Sequence, residues 1–276
     1  MPAELPVIAA IPNYNMAAEL GRLLPQTLNQ GYAAIYVLDD ASTDDSKDVA
    51  AQFAGDVTFI SGAHNVGAGG NRNRILDVLP ENEVVLIHFI DADTVIETNP
   101  MASLVRASVP DDRFAFVVGL CTDPDGKQNV WNYGPRPSLY NEAGAYAQHR
   151  YGKIIRQSLS RAASFHKRNH RLLDAWPDPL GTQHRHSVFW GIEQNLVFRS
   201  DIFRHYKGFD PSIRETEIIE LSLRMARDGL CGYFDPRFHI RHTEAQVRLY
   251  NRGLRKRREG IRLAFTYGII KWLTRK

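Results

Sequence analysis

At 276 residues, with 43% hydrophobic and 24% charged side chains, the chain suits one large domain or two small ones, and its ordinary globular composition excludes disorder. The start, MPAELPVIAA, has neither a basic nor a long apolar segment, and no stretch nears the roughly 18 apolar residues of a spanning helix, so the expected location is cytoplasmic. The net charge of +3 is uneven: the stretch from Arg248 to Lys276 carries +9 and the rest about -6, an acidic body with basic surfaces added late.

In chain order, VIAAI (7–11) reads as a strand closed by Pro12, and Leu20, Leu23, Leu24 and Leu28 mark a helix reaching Gln30. AIYVLDD (34–40) is a second strand, followed by a helix capped at Thr43 or Asp44 and running through Phe53. VTFI (57–60) is a third, a glycine-rich turn then leads into a helix over RNRILDVL, and VVLIHFI (84–90) is a fourth, apolar enough to be buried on both faces. Such alternation predicts a mostly parallel α/β sheet with right-handed crossovers. Cys121 and Cys231 lie far apart without metal-ligand spacing and are expected to be buried free thiols.

The strand ends share a chemical theme. The fourth strand stops at Asp91-Ala92-Asp93, and two carboxylates at the end of a buried strand can hold a hard divalent cation, or simply cap the strand and begin a turn. The first strand ends in Pro12-Asn13-Tyr14-Asn15, where an aromatic ring can stack on a base, and the second in Asp39-Asp40, where a carboxylate can accept from a base or sugar. Gly67, Gly69 and Gly70 permit close approach of backbone to phosphate. Each feature alone has a plain structural alternative; in this order and spacing they point to a nucleotide pocket with a metal at its mouth.

PNYN, LDDASTDDS, NVGAGGNRN and IDAD, followed by FRSDIFRHYKGFD (198–210), ELSLRMARDG (220–229) and PRFHIRH (236–242), resemble the ordered signatures of family 2 glycosyltransferases, which have the GT-A fold. The resemblance spans residues 7 to 244. It implies a GT-A domain over 1–246, with a nucleotide-binding half (1–99) and an acceptor-binding half (100–246), followed by a basic C-terminal helical extension (247–276). It further implies a nucleotide-diphosphate sugar donor, a divalent metal (Mn or Mg), a saccharide or lipid-linked acceptor, and inverting transfer in the synthesis of a polysaccharide, glycolipid or other glycoconjugate. Carried over by position, Pro12, Tyr14, Asn15 and Asp40 line the nucleoside site, Gly67 and Arg72 approach the diphosphate, Asp91 contacts ribose or sugar, and Asp93 ligates the metal with Asp91 and His242 beside it.

One expected group is missing. Relatives place an Asp base six residues before the Arg of the closing helix, and here that position is Ile218, in RETEIIELSLR. Glu217 or Glu215 could supply the carboxylate from a neighbouring position, or Glu193 in FWGIEQN could do so; the alternative is a non-catalytic donor-binding protein or scaffold. The C-terminal segment 248–276 has a basic first half and an apolar, aromatic second half, which suits equally a helix on an anionic membrane surface or one packing its apolar side on the catalytic domain or on another subunit. A second basic stretch, Arg150 to Arg171, borders the acceptor site or is a solvated helix pair. Nucleic-acid binding is not expected, because no reading motif is present and the body is acidic.

Overall fold

The computed structural model describes residues 5–110, 113–214 and 216–243. The first half runs β1 (Val7–Asn13), α1 (Ala17–Leu28), β2 (Ala34–Asp39), α2 (Ser46–Ala51), β3 (Val57–Ser61), α3 (Gly67–Asn73), α4 (Ile75–Val78) and β4 (Leu86–Ile90). The second half runs β5 (Thr94–Ile96), α5 (Met101–Ser108), β6 (Val117–Thr122), β7 (Tyr133–Gly134), α6 (Leu139–Gln157), α7 (Leu159–Leu173), β8 (His186–Val188), β9 (Trp190–Gly191), β10 (Asn195–Arg199), α8 (Ser200–His205), α9 (Glu217–Arg227) and β11 (Gly232–His242).

The main sheet has the order β3-β2-β1-β4-β10-β6-β11-β5, with β8 also paired to β11. Strands β1 to β4 are mutually parallel, and β6 and β11 share their direction; β10, β5 and β8 run against them. The predicted α/β architecture with a mostly parallel sheet is therefore the one observed. Strand β1 shows why its sequence is apolar throughout: Ile8 and Ala10 enter the core under α4, α8 and α9, while Val7, Ala9 and Ile11 enter the cores under α1, α2 and α5.

Strand β1 does not stop at Pro12 as predicted. Val7 and Asn13 accept amides from the β2 side, so the odd residues of β1 face β2 and the even ones face β4. Pairing with β4 ends at Ala10, so the missing donor of Pro12 falls where no ladder bond is needed. The glycine-rich stretch, expected as a turn, is itself helix α3, because the Asp40 carboxylate accepts from Val66 N (2.8 Å) and Gly67 N (2.9 Å) and so caps its start. Helix α2 begins later than predicted, with both oxygens of Asp44 engaged: one accepts from Ser46, the other from Ala17 N at 2.8 Å.

Helices α6 and α7 form a hairpin with a small core of their own, Ala147, Tyr151, Ile155, Ala162 and Leu173. It is tied back where Gln148 donates to the carbonyls of Val130 and Pro177 and where the Tyr151 hydroxyl donates to Asp178 (2.6 Å). Both cysteines are free thiols; Cys121 is buried as expected, whereas Cys231 is exposed at the entry to β11. The predicted basic extension 247–276 lies outside the described residues. Among the described residues no helix is long and apolar enough to cross a membrane.

Candidate active site

The parallel strands β1, β2, β3 and β4 end on one edge of the sheet, where open α/β sheets bind ligands. Tyr14 stands just beyond β1 with nearly half its surface exposed. Asn15 adopts the left-handed conformation (φ 53°); its backbone N–H donates to Ser42 Oγ (2.9 Å), and its side-chain oxygen accepts from Thr43 N (2.8 Å). Asp39 binds Asn13 and Ser42, and Asp40 is taken up by α3 and by Arg74 (3.4 Å). The strand-end acids of β2 thus shape the loops around the opening: Asp40 and the Gly67 amide, both placed by sequence at the donor, hold each other. Pro12, Tyr14, Asn15 and Asp40 still share one corner of the crevice.

The end of β4 is built differently. Asp91 N–H donates to Gln194 O, and Asp93 O accepts from Thr243 N (2.9 Å) and Thr243 Oγ1 (2.8 Å), so the DAD segment is strapped to β10 on one side and to the end of β11 on the other. This strap places His242 Nε2 3.0 Å from Asp93 Oδ2, both side chains nearly buried. Asp91 turns elsewhere: Arg72 Nη2 donates to its Oδ1 at 2.6 Å. The sequence grouped Asp91, Asp93 and His242, and the structure joins the last two while assigning Asp91 to Arg72.

Arg72, on α3, is the electrostatic centre of the crevice. Its side chain is 6% exposed and sits in the field of Asp91, Glu193 and Glu217. Burial pushes the Asp91 carboxyl above its usual range, Arg72 opposes that, and Asp93 adds to it. Glu193, between β9 and β10, is likewise pushed up by burial, with Arg72 pulling down and Asp91 pushing up; the residue as a whole is half-buried. Arg72 Nε is buried without a hydrogen-bond partner, a donor left over in a site already rich in carboxylate.

Ile218 has an unambiguous place. Its side chain is buried in the main core, and its backbone N–H, in the first turn of α9, donates to Glu193 Oε1 (3.3 Å). A carboxylate from another loop therefore occupies the start of the helix that carries isoleucine. Glu217, the first residue of α9, is buried against Gly69, where an added Cβ would meet Glu217 Cγ at 3.0 Å. Glu215 lies outside the described residues. Sequence reasoning did not anticipate that Arg72 would gather three acids; α3 and α9 touch only in the fold, and the one hint was a glycine at 69, on the helix face that must pass Glu217.

A divalent cation can be judged against these donors. Asp93 and His242 offer one carboxylate oxygen and one imidazole nitrogen side by side, a set that suits Mn better than Mg and leaves the other positions to phosphate oxygens and water. Among the described residues no group of three or more His, Cys, Asp or Glu could enclose a metal on its own. The donors fit a metal shared with a ligand rather than a closed protein site.

The family model described as Glycosyl transferase family 2 matches residues 8–174. No curated protein matches the chain. Among solved structures, S. aureus TarS 1-349 in complex with UDP-GlcNAc is similar at TM-score 0.56 and 12% identity, covering 88% of this chain and 60% of that one. GalNAc-T7 with UDP, GalNAc and Mn2+ is similar at TM-score 0.55 and 12% identity, covering 88% of this chain and 45% of that one. At such identity these likenesses establish the fold, and the chain spans about half to three fifths of the length of those structures.

Proposed function

Because the chain belongs to glycosyl transferase family 2 and has the GT-A fold, we propose that it moves a sugar from a nucleotide-diphosphate donor to an acceptor hydroxyl with inversion, and that Glu193 is the base. Residues 1–99 hold the nucleotide and 100–246 the acceptor, a saccharide or lipid-linked sugar. The observation that carries this reading is the convergence on Arg72 of Asp91, Glu193 and Glu217 beside the Asp93 and His242 pair. The solved relatives with UDP and UDP-GlcNAc make uridine diphosphate sugars the first donors to test.

Tyr14, Pro12 and Asn15 bound the nucleoside corner, and Tyr14 offers its exposed ring to the base. Asp93 and His242 would hold the metal, whose chemistry when bound is to offset charge on the departing diphosphate. Arg72 supplies a fixed positive charge at the same place, and its unpartnered Nε is aimed at no protein acceptor. In the chemical step the acceptor O–H gives its proton to the Glu193 carboxylate, the oxygen forms its bond to the anomeric carbon, and the bond from that carbon to diphosphate breaks with its electrons leaving on the diphosphate. A carboxyl raised by burial is a better proton acceptor than an ordinary glutamate, and the neighbouring Arg72 charge opposes that rise.

Glu217 is the second candidate, buried one residue before Ile218 at the same helix start. The test is transfer by Glu193→Gln and Glu217→Gln against the parent enzyme. Loss of turnover of at least about ten-fold, and as much as about 10⁴-fold, is expected for Glu193→Gln. Retention of full turnover by both variants would exclude both carboxylates as the base, whereas donor binding by the parent without transfer to any hydroxyl would support a non-catalytic donor-binding protein.

A further inference from the structure

Most arginines around the sheet have acid partners: Arg72, Arg74, Arg199, Arg224, Arg237 and Arg241 all meet a carboxylate. The α6–α7 hairpin breaks that habit. No Asp or Glu occurs between Glu142 and Asp174, while Arg150, Lys153, Arg156, Arg161, Lys167, Arg168 and Arg171 all do. Every one of these seven is exposed, and Arg156, Arg161, Lys167, Arg168 and Arg171 form no ion pair among the described residues. Arg150, Arg161 and Arg168 line one open groove of about 560 Å³ along the hairpin, with the hydroxyls of Ser160 and Ser164 between them. Nearby, His149 is held below its ordinary pKa by burial first and then by the positive charge of Lys153 and Arg156.

The hairpin tip adds an apolar element. Leu159 is 52% exposed and stands between Arg156 and Arg161. The corner that presents it is fixed: Ser158 N–H donates to Ile154 O (2.8 Å), and Ser158 Oγ accepts from Arg161 N (3.4 Å), closing α6 and opening α7 with one residue. Beneath the tip the Tyr151 and Phe165 rings stack, so both helices are held by their own core. An exposed leucine on a rigid corner within a collar of unpaired arginines combines the two attractions of an interfacial membrane element: apolar insertion below the headgroups and cation contact with their phosphates.

The hairpin also has suitable reach. Helix α6 has 19 residues, about 28 Å of helix, so the tip stands roughly that far from the base. At the base, Trp176 packs edge-on against Trp190 (6.1 Å between ring centroids), three residues before Glu193. We infer that the α6–α7 hairpin is a docking surface for an anionic bilayer, with Leu159 entering the interface, Arg150, Arg161 and Arg168 binding lipid phosphates, and the candidate active site held about one helix length from the surface. This inference does not depend on the identity of the catalytic base.

The test is co-sedimentation of the full chain with vesicles of phosphatidylcholine alone or with about 30% phosphatidylglycerol, over a salt series. Binding is expected to the anionic vesicles only and to weaken as salt rises. R150Q/R161Q/R168Q is expected to lower the partition coefficient about ten-fold or more, given the typical worth of one cation near an anionic leaflet. L159N, a change at an exposed tip, should lower it severalfold with an unchanged salt slope. The basic segment 248–276 remains intact in both variants, so binding unchanged in both would assign membrane contact to that segment and overturn the proposal. Failure of the parent to bind anionic vesicles would also overturn it, as would a triple variant that loses affinity for inorganic polyphosphate while binding vesicles as before.

Discussion

Replacing Arg72 by methionine removes a cation that Asp91, Glu193 and Glu217 share while conserving much of the side-chain volume. The Arg72 side chain is 6% exposed and that of Asp91 22%, so their 2.6 Å pair is largely desolvated. Removing one partner of a buried pair costs about 3–5 kcal/mol; the partial access of water to Asp91 and Glu193 argues for the lower end, about 3 kcal/mol at pH 8. The loss should depend on pH in a definite direction. Burial already raises both carboxyls, and loss of the guanidinium raises them further. A carboxyl with a raised folded-state pKa contributes stability that is full below its unfolded value and lost as pH rises through the folded one. Acidification to pH 5 therefore lets the variant take up protons that relieve the repulsion, and its deficit against the parent should shrink. Urea denaturation of both proteins at pH 8 and pH 5, at equal ionic strength, measures this. A deficit below about 1 kcal/mol at pH 8, or one that is equal or larger at pH 5, would refute the charge-cluster reasoning.

The acid limb of kcat/KM against pH should lie above the ordinary glutamate value of 4.5, because burial raises Glu193, and should vanish in whatever activity Glu193→Gln retains; a limb that persists assigns it to another group. Buried His88, donating to Asn195 and accepting from Tyr32, is neutral in the fold, its pKa pushed from 6.5 down to about 4 by burial. Its contribution is present above pH 6.5 and lost as pH falls toward 4, about 3 kcal/mol in all; His88→Gln should flatten that part of the pH-stability curve, and an unchanged slope would clear His88. Gly69→Ala puts a methyl 3.0 Å from Glu217 Cγ and 3.1 Å from Phe209 Cβ, and should cost about 1–3 kcal/mol in thermal unfolding, since both neighbours are buried; a neutral result would mean that α3 and α9 separate easily.

The first half of the fold was legible because its strands are buried on both faces and its helices carry a clear apolar stripe, as Leu20, Leu23 and Leu24 do. The start of α3 was not, because the cap that makes a helix of GAGG is a side chain 26 residues upstream, Asp40. The acids after β4 and the histidine ending β11 could be named from the sequence, but their pairing could not: Asp91 and Asp93 are two residues apart on a strand end and point to different partners, one to α3 and one to β11. The gap at Ile218 was legible as a gap. What meets that helix start was hidden, since the carboxylate at the Ile218 amide comes from Glu193, 25 residues earlier, on the segment between β9 and β10. The segment between β6 and β8 gave residue types without an arrangement, and its hairpin became readable only once its own core was seen.

The measurement that bears most directly on the central claim is calorimetric titration of uridine and other nucleotide-diphosphate sugars into the full chain, with and without Mn, for the parent and for Asp93→Asn. The account predicts that at least one donor binds about ten-fold or more tightly with Mn present, and that this gain disappears in Asp93→Asn, because the donor set of Asp93 and His242 is completed by the ligand's phosphates. Equal binding with and without Mn for every donor, or a Mn-dependent gain that survives loss of the Asp93 carboxylate, would contradict it.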